Sequence, residues 1–285
     1  MYVGAKARAS EVNMKRYLSN LILGLLVTSG MAVAQVAENE TFVVPLSRPG
    51  SPAILAAEIL QGTIKVTGYE GNEVLVDVRF ASDHDEEGDH EASHGLMRIP
   101  SVSGGLTIEE DQNQVTIETD WSQDEINLEV RVPFQTSVRL SGVNGEWIEV
   151  DGVSGQHELS QTNGDIRATG IRGSIVADST NGDITVELVE VTPDVPMSFS
   201  TFNGDIDLRL PAETSADLRL QSGQGDIYTD FEVVTKPTQT RVDPRKQDKG
   251  FRVRIEREVL GTIGAGGPEL RFKTVNGDIY LRKIQ

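Results

Sequence analysis

Three of the chain's four histidines, His84, His90 and His94, lie within eleven residues, interleaved with the six carboxylates of Asp83, Asp85, Glu86, Glu87, Asp89 and Glu91. Imidazole together with carboxylate suits zinc, nickel or copper, and His90 and His94 have the i, i+4 spacing of two ligands on one helical turn. The candidate metal set is His84, Asp85, His90 and His94, and a divalent ion is the one cofactor that the sequence brings into question. Gly88 and Gly95 loosen the segment and nothing around it predicts helix. The competing interpretation is therefore a solvated loop, 81–98, whose composition merely tolerates metal. Its imidazoles would gain charge at about pH 6, which makes proton response a third role.

A second acidic set recurs inside a repeated turn, Asn-Gly-Asp-Ile: Asp165, Asp183, Asp205 and Asp226. If equivalent turns stack, these carboxylates form a column about 5 Å apart, which is unfavourable unless a cation such as calcium neutralises it. The alternative is that each Asp accepts hydrogen bonds from the backbone amides of its own turn. The denser Gly-Gly-x-Gly-x-Asp nonapeptide of calcium β-rolls is absent.

Other chemistries have less to stand on. The chain has no cysteine, so disulfides, thiolate chemistry, Cys-ligated zinc and lipid attachment through an N-terminal Cys are excluded. A net charge of −18 with no basic stripe sets nucleic-acid binding aside. His157 is the only histidine among the repeats and has no triad context. The Gly261–Gly267 run lacks the Lys-Ser/Thr ending and following helix of a phosphate cradle, and reads as a corner. A polysaccharide-cleaving β-helix would need clustered acids with a base on one exposed face; Glu187, Asp207, Arg209 and Arg219 could contribute, and fit a solvated strand face equally well. Trp121, Trp147, Tyr228 and Tyr280 could stack on sugar rings if they shared an outer face, or pack inside.

The elements that would position these groups are set by internal repetition. Asn144-Gly145-Glu146 (followed by Trp147-Ile148), Asn163-Gly164-Asp165-Ile166, Asn181-Gly182-Asp183-Ile184, Asn203-Gly204-Asp205-Ile206 and Asn276-Gly277-Asp278-Ile279 are copies of one turn, with Gln224-Gly225-Asp226-Ile227 a degenerate sixth. Successive offsets are 19, 18, 22, 21 and 52, so the last implies an insertion. Gly152-Val153-Ser154-Gly155 and Gly170-Ile171-Arg172-Gly173 form a weaker second punctuation. Between turns, apolar residues alternate: Ile166 and Ala168; Ile175 and Ala177; Ile184, Val186 and Leu188; Ile206, Leu208 and Leu210. Period two is the half-buried strand signal.

Asn-Gly supports a tight reversal or corner. Identical turns at near-constant spacing predict a repetitive β-solenoid of about 20 residues per coil; an antiparallel β-meander or sandwich, with each Asn-Gly closing a hairpin, is the alternative. A longer echo, Arg131-Val132-Pro133 against Arg209-Leu210-Pro211, places a proline at two strand ends. Further strands are expected at 54–60, 61–66, 74–78, 105–108, 115–117, 128–132 and 251–255, and no 3.6-residue periodicity occurs past the N-terminal segment. Loops are expected at 81–98 and 232–250.

That N-terminal segment reads as an address. Lys15 and Arg16 precede an apolar run from Leu18 to Val27, and Ala32-Val33-Ala34 is the small-x-small pattern of signal-peptidase cleavage. The run of about ten residues is short of the roughly 20 needed to span a bilayer. Residues 1–34 are an N-terminal extension plus cleavable signal peptide, starting at Met1 or Met14, and 35–285 a single β-repeat domain without an integral membrane segment.

From Val132-Pro133 through the successive Asn-Gly-acidic turns to Thr274-Val275-Asn276-Gly277-Asp278-Ile279, the sequence resembles the DUF4097 family of adhesin-like β-strand-repeat proteins of bacterial envelopes. The resemblance is strongest from about 126 to 285. It implies a β-solenoid-like fold in the periplasm or at the cell surface, and brings no catalytic residues with it. The expectation is a non-enzymatic exported module that binds an envelope protein or surface polysaccharide. The alternatives are a metal- or ligand-binding module acting through 83–94, and a polysaccharide-active β-helix enzyme.

Overall fold

The computed structural model describes residues 39–81, 105–119, 125–236 and 258–284. The signal segment, the metal candidates His84, Asp85, His90 and His94, Trp121, and the expected strand at 251–255 lie outside the described residues, as does most of the 232–250 loop.

The described residues hold no helix and eighteen strands. In chain order these are β1 (Asn39–Pro45), β2 (Ala53–Gln61), β3 (Ile64–Tyr69), β4 (Glu73–Ala81), β5 (Leu106–Asp111), β6 (Gln114–Thr119), β7 (Glu125–Pro133), β8 (Thr136–Asp151) and β9 (Ser154–Asn181). They continue as β10 (Ile184–Val191), β11 (Met197–Ser200), β12 (Ile206–Leu210), β13 (Ala216–Gln224), β14 (Ile227–Thr229), β15 (Val233–Lys236), β16 (Glu258–Ile263), β17 (Glu269–Asn276) and β18 (Ile279–Lys283). All join one mixed sheet system. β1 carries no repeat, which is why the sequence pattern does not reveal it.

The Asn-Gly turns do not close hairpins. The strand before each turn and the strand after it pair in parallel with the equivalent strands of neighbouring copies. Each copy is thus a rung with two strand segments meeting at a corner. Rungs stack in the order β6/β7, β2/β3, β8, the first half of β9, the second half of β9 with β10, β11/β12, β17/β18 and β13/β14. A uniform coil in sequence order does not describe this. At each end of the stack one adjacent pair of rungs is exchanged: β6/β7 lies outside β2/β3, and β13/β14 lies outside β17/β18. The 52-residue offset before Asn276 contains β15 and β16 as an insertion, and the Asn276 corner stacks between Asn203 and Gln224. Antiparallel strands close the ends, with β4 on β7, β1 on β4 and β5 on β6 at one, and β16 on β13 and β15 on β16 at the other.

The core consists of rows running across the rungs. Leu128, Ile64, Ile148, Ile166, Ile184, Ile206, Ile279 and Ile227 stand opposite one another in register. All but Ile227 are buried. The pre-corner segments contribute Ile117, Ala57, Leu140, Leu159, Ala177, Phe199, Phe272 and Leu220, and Phe199 stacks on Phe272 at 5.1 Å. Pro133 ends β7 and Pro211 follows β12, where a missing amide is harmless.

The corner glycines set how closely rungs approach. A Cβ added to Gly164, whose φ is +135°, would overlap the carbonyl oxygen of Gly145 on the preceding rung. The same overlap links Gly145 to Gly62, Gly182 to Gly164, Gly204 to Gly182, Gly277 to Gly204 and Gly225 to Gly277. Replacing Gly164 by Ala should cost about 3 kcal/mol, combining backbone strain with separation of two rungs. Urea denaturation checks this, and an unchanged midpoint would show that the rungs can part freely.

Candidate functional site

Three side-chain ladders run along the corners. The asparagine amides form the first: Nδ2 of Asn163 donates to Oδ1 of Asn144 at 2.8 Å, Asn181 to Asn163 at 2.8 Å, Asn203 to Asn181 at 2.7 Å and Asn276 to Asn203 at 2.6 Å. The aspartates form the second. The backbone amide of Asp183 donates to Oδ1 of Asp165 at 3.0 Å, Asp205 to Asp183 at 2.8 Å, Asp278 to Asp205 at 2.7 Å and Asp226 to Asp278 at 2.7 Å. The expected bond from each Asp to its own turn is therefore replaced by one to the next rung. A flat parallel stack turns each corner's amide toward the neighbouring corner's side chain.

The third ladder was missed from the sequence. Two residues before Asn181, Asn203, Asn276 and Gln224 a hydroxyl donates to the preceding rung's glycine carbonyl: Ser179 to Gly164 at 3.3 Å, Thr201 to Gly182 at 3.0 Å, Thr274 to Gly204 at 3.0 Å and Ser222 to Gly277 at 3.0 Å. These groups are buried, where an unpaired carbonyl is costly. The repeat is really Ser/Thr-x-Asn-Gly-Asp-Ile, and the recurrence of a hydroxyl at that offset is the signal that could have found it. At one rung Gln161 takes the position, donating to Gly145 and Asn163 carbonyls at 3.2 and 3.0 Å. Its larger side chain occupies space beside Gly142, where a Cβ would overlap it.

The first copy differs again. A bulge follows Asn144, and Trp147 stands opposite Asp165, so Glu146 is an extra residue and does not hold the place of the repeat's Asp. The remaining acids do lie in a column, and three of them also have local partners for the second oxygen: Asp165 with Arg167 at 3.1 Å, Asp278 with the Tyr280 hydroxyl at 3.0 Å and Asp226 with the Tyr228 hydroxyl at 3.5 Å. Among the described residues no group of three or more His, Asp or Glu is placed to hold a metal ion.

Of the four enzyme candidates, Glu187, Asp207 and Arg209 come together as an ion-pair group on the outward strand face, and Arg219 stands apart. Arg209 pairs with Glu187 at 3.9 Å and with Asp207 at 3.5 Å, and Arg282 also reaches Asp207 at 3.5 Å. Arg219 stands on a pre-corner strand, paired with Glu258 and Glu269 at 3.5 and 3.4 Å. Trp147 is separated from Tyr280 by three intervening rungs and from Tyr228 by four, whereas the two tyrosines stack.

His157 occupies an inward position beside Val138 and is buried. Its Nε2 lies 3.1 Å from the Arg172 carbonyl, which fixes the proton there, and Nδ1 is buried without a partner. Burial holds its pKa below the ordinary 6.5, opposed in part by that carbonyl. The unfolded chain therefore takes up this proton at a higher pH than the folded one does, and stability falls as pH drops below about 6.5. His157→Leu should flatten this part of the pH–stability profile, as thermal melts between pH 7 and 5 would show. Thr201→Val, which deletes one rung-to-rung hydroxyl bond, should cost about 1–2 kcal/mol by denaturant titration.

A family model described as Toastrack DUF4097 matches residues 99–282. Two solved structures are similar to the chain. A candidate cell adhesion protein from Clostridium sporogenes ATCC 15579 is 10% identical over 86% of this chain and 99% of that one, with a TM-score of 0.48. A candidate adhesin from Bacteroides fragilis NCTC 9343 is 9% identical over 87% and 98%, with a TM-score of 0.27. No curated protein matches at a significant level.

Proposed function

Because the chain belongs to the Toastrack DUF4097 family, we propose that it serves as an exported, adhesin-like interaction module without enzymatic activity, its β-repeat domain spanning 35–285. The observation that carries this reading is the use of polar groups by their neighbours along the rows. Asn binds Asn, Asp binds the next Asp amide, and Arg binds acids on its own or the adjacent strand. Catalysis needs groups converging on one reacting atom, whereas these are distributed along rows at strand spacing. Such rows suit many shallow contacts with an extended partner, a surface polysaccharide or an envelope protein. The Lys15-Arg16 start, the apolar run and Ala32-Val33-Ala34 support export to the periplasm or cell surface. No helix among the described residues is long and apolar enough to cross a membrane.

Expression of the full chain in a bacterial host, followed by fractionation and N-terminal sequencing, should recover an extracytoplasmic protein beginning at Gln35. That protein should sediment with isolated bacterial envelopes and release no product from polysaccharide substrates. Recovery only from the cytoplasm, or catalytic release of oligosaccharides, would overturn the reading.

A further inference from the structure

The outward row that follows the ladder isoleucines ends in two tyrosines. Tyr280 on β18 and Tyr228 on β14 stand in register. Their rings stack at 5.1 Å between centroids and 12° between planes, with the Arg282 guanidinium 4.8 Å from the Tyr280 ring. The hydroxyls donate to Asp278 at 3.0 Å and Asp226 at 3.5 Å. That bond, for Tyr280, and the Asp226 charge, for Tyr228, raise both phenol pKa values, so the rings stay neutral at physiological pH.

β14 is the last strand of its row. Among the described residues it pairs with β18 alone, and Tyr228 remains 48% exposed. At the preceding rungs, the amides of Gly204 and Gly277 donate to the next Asn203-type carbonyl, at Asn276 and Gln224, and those of Ile206 and Ile279 donate to the next Asp carbonyl. The equivalents at the last rung are Gly225 and Ile227, and no described strand lies beyond them. Asp226 likewise ends the carboxylate ladder. One aromatic ring, backed on one side by a second, therefore stands beside amide donors and a carboxylate acceptor at an edge that no described strand covers.

We propose that Tyr228 is a stacking platform for an uncharged hexose ring of a surface polysaccharide, with the Gly225 and Ile227 amides and the Asp226 carboxylate binding its hydroxyls; this rests on the adhesin-like reading and names its ligand. A pyranose offers an apolar C–H face rimmed by hydroxyls, which is the complement of this arrangement. An added peptide strand fits poorly, since β14 has three residues, Ile227–Thr229, against a usual strand length of about five to six. Polyanionic glycans are disfavoured by Asp226 and Asp278 beside the rings and by the chain's net charge of −18.

The test is isothermal titration of the full chain with cellohexaose, laminarihexaose and mannohexaose, and with hexagalacturonate as the acidic comparison. At least one neutral oligosaccharide should bind. Tyr228→Ala should weaken that binding about tenfold, while Tyr228→Phe, which keeps the ring, and Phe202→Ala, which removes an exposed aromatic elsewhere, should stay within about threefold of the parent. Loss of binding in Tyr228→Phe equal to that in Tyr228→Ala, an unchanged Tyr228→Ala, or binding of hexagalacturonate alone would each overturn the platform. If no oligosaccharide binds while the parent chain still sediments with envelopes, the platform falls and the adhesin-like reading stands. Failure of both assays removes both.

Discussion

The structure depends on one close approach: the carbonyl oxygen of each corner glycine sits where the side chain of the next corner glycine would begin. Gly62, Gly145, Gly164, Gly182, Gly204, Gly277 and Gly225 form this chain of contacts in stacking order. Only a residue without Cβ permits it. Once corners are that close, strands on both sides fall into register and the isoleucines line up as one buried row. Strand side chains alternate between faces, so a slip of one residue would turn every member of that row toward solvent. Register is thus enforced twice, sterically at the corner and hydrophobically in the core.

The polar groups follow from the same geometry. Corner carbonyls inside the stack are hidden from water, and the Ser and Thr hydroxyls two residues before each Asn supply the missing donor. The asparagine amides and aspartate carboxylates run along the exposed side of the corner in the same direction. Because each group is matched with its counterpart one rung away, chemistry is spread along lines.

Much of this was legible in the residues. Asn-Gly-Asp-Ile at near-constant offsets located the corners, and alternation such as Ile184, Val186 and Leu188 located the buried face. What the sequence did not reveal was order in space. Nothing local distinguishes the Asn276 copy, which stacks inside, from the Gln224 copy, which stacks outside, because both have the same alternating pattern and the choice is made by long-range pairing. The partner of each Asp was equally hidden, since an Asx turn and a rung-to-rung bond use the same residue types. Glu146 misled for another reason: one extra residue at a bulge moves Trp147 into the repeat position without disturbing the motif around it. The stacking of Tyr228 on Tyr280 required knowing that residues 52 apart become neighbours.

The exchanged rungs bear on synthesis. Residues 216–229 dock on a surface formed by residues 269–283, which are synthesised after them. At the other end, residues 53–69 are held between partners that follow them in the chain. Rungs therefore cannot be added in the order of the chain at either end of the stack. Both end rungs must wait for partners made after them, so closing the stack is paced by long loop closures more than by the order of synthesis.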